Sequence, residues 1–80
     1  MMQGTVTRLR PRGVEATMDS PTDMLDMGTA FRIYRLVDGL PVEVGTGYSK
    51  RSKGPNLICL NPADGAELAD PQVGDLVESI

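Results

Sequence analysis

Residues 30–44 read AFRIYRLVDGLPVEV, the clearest structural signal in the chain. Aromatic and branched residues precede Asp38-Gly39, and alternating apolar and polar residues follow it, as in β-strands with one buried face. Asp-Gly is a preferred pair for the tight turn of a two-residue hairpin. We therefore predict a central hairpin, with Pro41 at the start of its strand or on an unpaired edge, because proline cannot donate a ladder hydrogen bond.

Short strands are predicted on both sides of this hairpin. Residues 5–10 and 14–18 are rich in β-branched or alternating residues and are separated by a turn that contains Pro11 and Gly13. Residues 56–60 form a continuous apolar run, typical of a strand covered on both faces. Residues 73–80 are compatible with either a last short strand or an extended arm that reaches a partner.

A short helix is predicted between the second strand and the central hairpin. Ser20 is a suitable cap, Pro21 suits the first helical position, Asp23 favours the positive helix end, and Gly28 is a natural stop. Three large apolar residues lie between these signals: Met24, Leu25 and Met27. We expect them to form a lid over the core, although methionines can also make an adaptable partner-binding patch.

These elements predict a mainly β fold over residues 1–80, which we interpret as a single small domain. The expected architecture is a small β-barrel or sandwich of five to six short strands with one short helix. A chain of 80 residues buries only about 60–65% of its unfolded surface. With one Cys and no His, neither an intrachain disulfide nor the usual zinc set is available, so oligomerisation is the expected source of additional stability.

The composition argues against catalysis. The absence of histidine removes the commonest general base and excludes Ser-His-Asp and Cys-His nucleophile systems within one chain. The glycines at 45 and 47 before Lys50 do not match the spacing of a phosphate-binding loop. We therefore predict no enzyme activity, no catalytic residue, no cofactor and no metal site, and we expect Cys59 to be buried and inert.

The charges are distributed unevenly along the chain. The net charge is −3, yet all eight basic residues lie between Arg8 and Lys53, and residues 54–80 contain five acids and no base. The acidic last third is either a solvated surface or a segment that docks on a basic patch, for example on a neighbouring copy.

Two neighbouring regions are the candidate contact surface. Strand alternation places Arg32 and Tyr34 on one face of the central strand, opposite Phe31 and Ile33, and arginine and tyrosine are favoured at protein interfaces. Beyond the hairpin, Tyr48 leads into a polar, basic loop predicted at 49–55. The candidate partner contacts are Arg32, Tyr34, Tyr48, Lys50, Arg51 and Lys53. Solvated positions without a partner remain an alternative for both regions.

The sequence thus predicts a non-catalytic structural or interaction protein. We expect an accessory subunit of a larger assembly, for example a phage or virus particle, or a stoichiometric protein inhibitor. Its partners would be itself, as a homo-oligomer, or a larger protein, through strand addition and charge pairing. The alternative is a small-barrel nucleic-acid-binding protein that uses Lys50 to Lys53. Without a membrane-length apolar run or a signal-peptide pattern, we expect a cytoplasmic or virion location, no membrane contact and no signal-peptide secretion.

Overall fold

The structure is a computed structural model that describes residues 1–80. Its six strands are β1 (Gln3–Leu9), β2 (Val14–Met18), β3 (Ala30–Val37), β4 (Leu40–Ser52), β5 (Leu57–Asn61) and β6 (Leu76–Ser79). Each strand pairs antiparallel with two neighbours, and the order β1-β2-β5-β4-β3-β6 closes into a barrel. The predicted mainly β fold, the central hairpin and the barrel alternative are confirmed.

The antiparallel order sorts the loops to two opposite ends of the barrel. The distal end carries the β1–β2 turn (10–13), the β3–β4 turn (38–39) and the β5–β6 loop (62–75). The basal end carries both termini, the β2–β3 loop (19–29) and the β4–β5 loop (53–56). Beside the first and last strands, Met2 N donates to Ser79 Oγ at 3.0 Å and Ser79 N donates to the Met2 carbonyl at 2.9 Å.

The barrel interior is filled by ten buried apolar side chains. They are Val6, Val14, Ala16, Met18, Phe31, Ile33, Val44, Ile58, Leu60 and Val77. Phe31 and Ile33 point inward, as the alternation of β3 predicts. Gly47 lies where the interior leaves no room for a side chain, because a Cβ there would approach Leu60 Cβ to 2.8 Å. Met2 and Leu25 pack on the core from the basal end, and Leu68 packs on it from the distal end.

The predicted short helix at Ser20–Gly28 is absent, and the segment forms two turns instead. The physical reason is that backbone amides of this segment donate hydrogen bonds to other parts of the chain instead of to carbonyls within a helix. Thr22 N donates to the Pro55 carbonyl at 2.7 Å, and Gly28 N donates to the Ser49 carbonyl at 2.8 Å. These amides hold the β2–β3 loop against β4 and the β4–β5 loop. The signals at Ser20, Pro21 and Gly28 that predicted a helix therefore belong to a loop with turns, and this prediction was wrong.

Two further predictions change in detail. The basic loop predicted at 49–55 is mostly strand, because β4 continues to Ser52 through a bulge opposite β5, which leaves a loop of only residues 53–56. Of the two alternatives for residues 73–80, the structure has the strand: Leu76–Ser79 lies between β1 and β3 and buries Val77.

Candidate interaction surface

The β3–β4 hairpin extends beyond the barrel wall. β6 pairs with β3 only from Phe31 to Tyr34, and β5 pairs with β4 only from Tyr48 to Ser52. Residues 35–43, here called the hairpin tip, therefore pair only within the β3–β4 hairpin. The turn has positive φ angles at Asp38 (52°) and Gly39 (80°), the signature of the type I′ turn that the Asp-Gly pair predicts.

The hairpin tip is apolar and exposed. Leu36, Val37, Leu40 and Val42 are between 45% and 69% exposed, although they belong to a strand pair. Val37 and Leu40 are cross-strand partners, as are Arg35 and Val42, so the apolar residues Val37, Leu40 and Val42 share one face. Clustered exposed apolar residues mark contact sites more often than single ones do.

An ion pair at the base of the hairpin tip fixes its direction. Arg35 Nε donates to Asp75 Oδ1 at 2.7 Å, and its Nη2 donates to Oδ2 at 2.9 Å and to the Asp70 carbonyl at 2.8 Å. Asp75 is 2% exposed and also accepts from Gln72 N at 2.8 Å. Burial raises the pKa of Asp75, but the hydrogen bonds from Arg35 and Gln72 outweigh it and hold the pKa below its ordinary value. The paired fork ties the base of the hairpin tip to the β5–β6 loop.

Arg32 and Tyr34 lie on the outer face of the barrel, as predicted, within an intramolecular cluster. Arg32 pairs with Glu43 through Nε and Nη2 and with Glu78 through Nη1 at 3.2 Å. Its guanidinium lies 4.3 Å from the Tyr34 ring centre, and Tyr34 Oη donates to Glu78 at 3.4 Å. The hydrogen bond to Glu43 raises the pKa of Arg32. The charge of Arg32 is thus satisfied within the chain.

The other predicted contacts lie at the basal end. Lys50, Arg51 and Lys53, here called the basic cluster, are exposed and have no ion-pair partner within 4 Å. Tyr48 is half-buried and two positions before Lys50, so both face outward while the intervening Ser49 is buried. The structure therefore brings Tyr48 close to the basic cluster but separates this group from the hairpin tip.

Two methionines flank the basic cluster. Met24 and Met27 are almost fully exposed, and only Leu25 of the expected lid packs on the core. The hydrogen bond from Gly28 N to the Ser49 carbonyl places Met27 beside Lys50. The bonds from Thr22 to Pro55 and Ser52 hold the start of the same loop against the β4–β5 loop. Of the two interpretations of the methionines, the exposed patch fits their positions.

The acidic last third is partly neutralised within the molecule. Three arginines from the basic part of the chain pair with it: Arg12 with Asp64 at 4.0 Å, Arg32 with Glu78, and Arg35 with Asp75. Sequence reasoning missed these pairs because they join positions 40 or more residues apart. The basic cluster and Arg8 are the basic side chains left without a partner.

The remaining polar features are a buried thiol and a distal cleft. Cys59 is buried, as expected, with Sγ 3.9 Å from Glu15 Oε2, and Arg10 covers that carboxylate at 3.6 Å. No three His, Cys, Asp or Glu side chains lie close enough to hold a metal ion. A distal cleft of about 440 Å³ lies between the β1–β2 turn and residues 65–71, and its charged side chains, Arg10, Arg12 and Glu67, are of mixed sign.

Comparisons with protein-family models, curated proteins and solved structures found no match to this chain. No helix long and apolar enough to cross a membrane is present. Function must therefore be argued from the surface that the barrel presents, and the hairpin tip and the basal end are its two distinctive parts.

Proposed function

We propose that this chain is a non-catalytic interaction protein that docks through its hairpin tip. In this role it serves as an accessory subunit of a larger assembly, such as a phage or virus particle, or as a stoichiometric inhibitor of a larger protein. One observation carries the proposal: four large apolar side chains are exposed on a projection whose base the Arg35–Asp75 pair anchors to the β5–β6 loop. A rigid apolar anchor binds without a large ordering cost.

The closed barrel changes the proposed mode of contact. Strand addition needs an unpaired edge, and the closed barrel leaves only short ones at its distal end, the hairpin tip among them. In a two-residue hairpin the pair next to the turn is hydrogen-bonded, so the following pair, Leu36 and Pro41, turns its backbone groups outward. Pro41 has no amide to donate there. We therefore propose that the side chains of the hairpin tip enter an apolar groove of the partner.

A tip variant tests this proposal. Replacing Val37→Ser together with Leu40→Ser should weaken partner binding at least about tenfold, the effect of losing one good apolar anchor. The measurement is titration of a partner recovered with the intact protein. Leu9→Ser is the matched control, because Leu9 is a similarly exposed apolar residue of the distal end outside the hairpin. Equal affinity for the tip variant and the intact protein would contradict the proposal.

The alternative function is nucleic-acid binding by the basic cluster, which is favoured by its three unpaired charges and the nearby Tyr48. The net charge of −3 opposes it, because a negative field weakens contact with phosphates. If the alternative holds, Lys50→Ala, Arg51→Ala and Lys53→Ala together should abolish a salt-dependent anisotropy change with single-stranded DNA or RNA, whereas Arg8→Ala should preserve it. No binding by the intact protein at low salt would rule it out.

A further inference from the structure

We propose that copies of this chain associate head to tail, with the hairpin tip of one copy docked on the basal end of the next. The inference deepens the proposed function, on which it rests, by naming a second copy as the occupant of the tip. It is carried by a local complementarity between the two opposite ends of the barrel. At the distal end the apolar hairpin tip lies near unpaired carboxylates, and at the basal end exposed methionines lie near the unpaired bases of the basic cluster.

The distal end offers an apolar projection surrounded by carboxylates. Asp38 lies at the turn of the hairpin tip, and Glu67 and Asp70 lie in the β5–β6 loop. None of these three has an ion-pair partner within 4 Å. Of the three, only Asp70 contacts a basic side chain, and it does so through its backbone carbonyl, which accepts a hydrogen bond from Arg35. A partner surface for this end therefore needs an apolar area next to positive charge.

The basal end supplies that combination. Met24 and Met27 are exposed beside the basic cluster, and methionine adapts its shape to an incoming apolar group. Asp23 and Asp26 lie in the β2–β3 loop of the same end, and Asp23 lines one cleft with Arg51, so these acids offset part of the positive charge of the basic cluster. Asp19 is already held by Gln3 N at 3.0 Å. The distal carboxylates should accordingly face Lys50, Arg51 and Lys53.

A two-fold pairing of hairpin tips is disfavoured by the same charges. It would bring Asp38 of one copy close to Asp38 of the other, and the distal carboxylates of both copies would share one interface. Contact between opposite ends avoids this repulsion. Such a contact is heterologous, so each copy retains one free tip and one free basal end, and repetition gives a ring or an open filament.

The test uses two blocked variants whose mixture gives a defined product. The tip variant (Val37→Ser, Leu40→Ser) retains a basal end, and a basal variant (Lys50→Glu, Lys53→Glu) retains a tip. Light scattering after size-exclusion chromatography should show each variant alone as a monomer and their equimolar mixture as a dimer that grows no further. The intact protein should gain mass with concentration and lose it as salt rises. Arg8→Glu is the matched charge reversal and should assemble like the intact protein.

Several outcomes would overturn the inference. A basal variant that still dimerises would indicate tip-to-tip pairing, and a mixture that remains monomeric would exclude contact between opposite ends. Assembly that disappears after nuclease treatment would assign the basic cluster to nucleic acid. If the intact protein is monomeric at every concentration while the tip variant loses a foreign partner, head-to-tail association fails and the proposed docking function stands. Far-UV circular dichroism of each variant establishes that the barrel is intact.

Discussion

Asp75 shows how one buried carboxylate can hold both a loop and a hairpin in place. Its two oxygens accept hydrogen bonds from Arg35 and Gln72, which join the hairpin tip to the β5–β6 loop. The sequence predicts the inward positions of Phe31 and Ile33, because alternation is local. It cannot predict the partner of Arg35, since 40 residues separate the two side chains and only the pairing of β3 with β6 brings them together.

The lowered pKa of Asp75 predicts a specific response to acid. A carboxyl whose folded pKa lies below its ordinary value of 3.8 contributes stability above that value, and the contribution is lost as pH falls through the folded pKa. Asp75→Asn should cost about 1–3 kcal/mol at pH 7, the range for a buried group that loses a partner. It should also flatten the decline in unfolding free energy as the pH falls below the ordinary carboxyl value of 3.8.

Urea denaturation at a series of pH values measures both effects. Asp64→Asn is the control, because Asp64 is exposed and pairs with Arg12 only at 4.0 Å, so its removal should leave the profile unchanged. An Asp75→Asn profile parallel to that of the intact protein would contradict the assigned role.

At the scale of elements, local sequence signals for secondary structure compete with hydrogen bonds between distant parts of the chain. The hairpin at 30–44 was predictable because its turn and its alternation agree. The cap signals at Ser20 and Pro21 were misleading, because Thr22 and Gly28 find their hydrogen-bond partners 20 or more residues away. The unexpected length of β4 has the same origin, since residues that look like a polar loop are held in the strand by Asn61, Leu60 and Ile58 of β5.

β6 provides a prediction at this scale. Removing residues 73–80 should abolish cooperative thermal unfolding, because the deletion removes Asp75 and Val77, exposes the core and leaves β1 and β3 each paired on one side only. Circular dichroism during heating measures the loss. Removing the exposed Ile80 alone is the control and should leave the transition in place. A truncated chain with a sharp transition would show that these residues are dispensable for the barrel.

For the whole molecule, the sequence predicts strands but not how they close. Three of the six ladders, β1–β2, β3–β4 and β4–β5, join strands that are consecutive in the chain. The other three, β1–β6, β2–β5 and β3–β6, join strands that are distant in the chain. A barrel and a sandwich can contain the same ladders between consecutive strands and differ in the ladders between distant strands. The sequence therefore predicts the strands without deciding between these two architectures. The proposed complementarity of the two ends likewise cannot be predicted from the sequence, because the closed barrel determines which loops lie at which end.

The pairing of the first and last strands has a topological consequence. Met2 and Ser79 are joined by two hydrogen bonds at the basal end, so a short peptide could connect the two termini without moving either strand. Cutting the resulting ring near Asp64-Gly65, in an exposed part of the β5–β6 loop, would create a circular permutant that retains all six ladders. Its new termini would lie at the distal end, leaving the basal end free of chain ends.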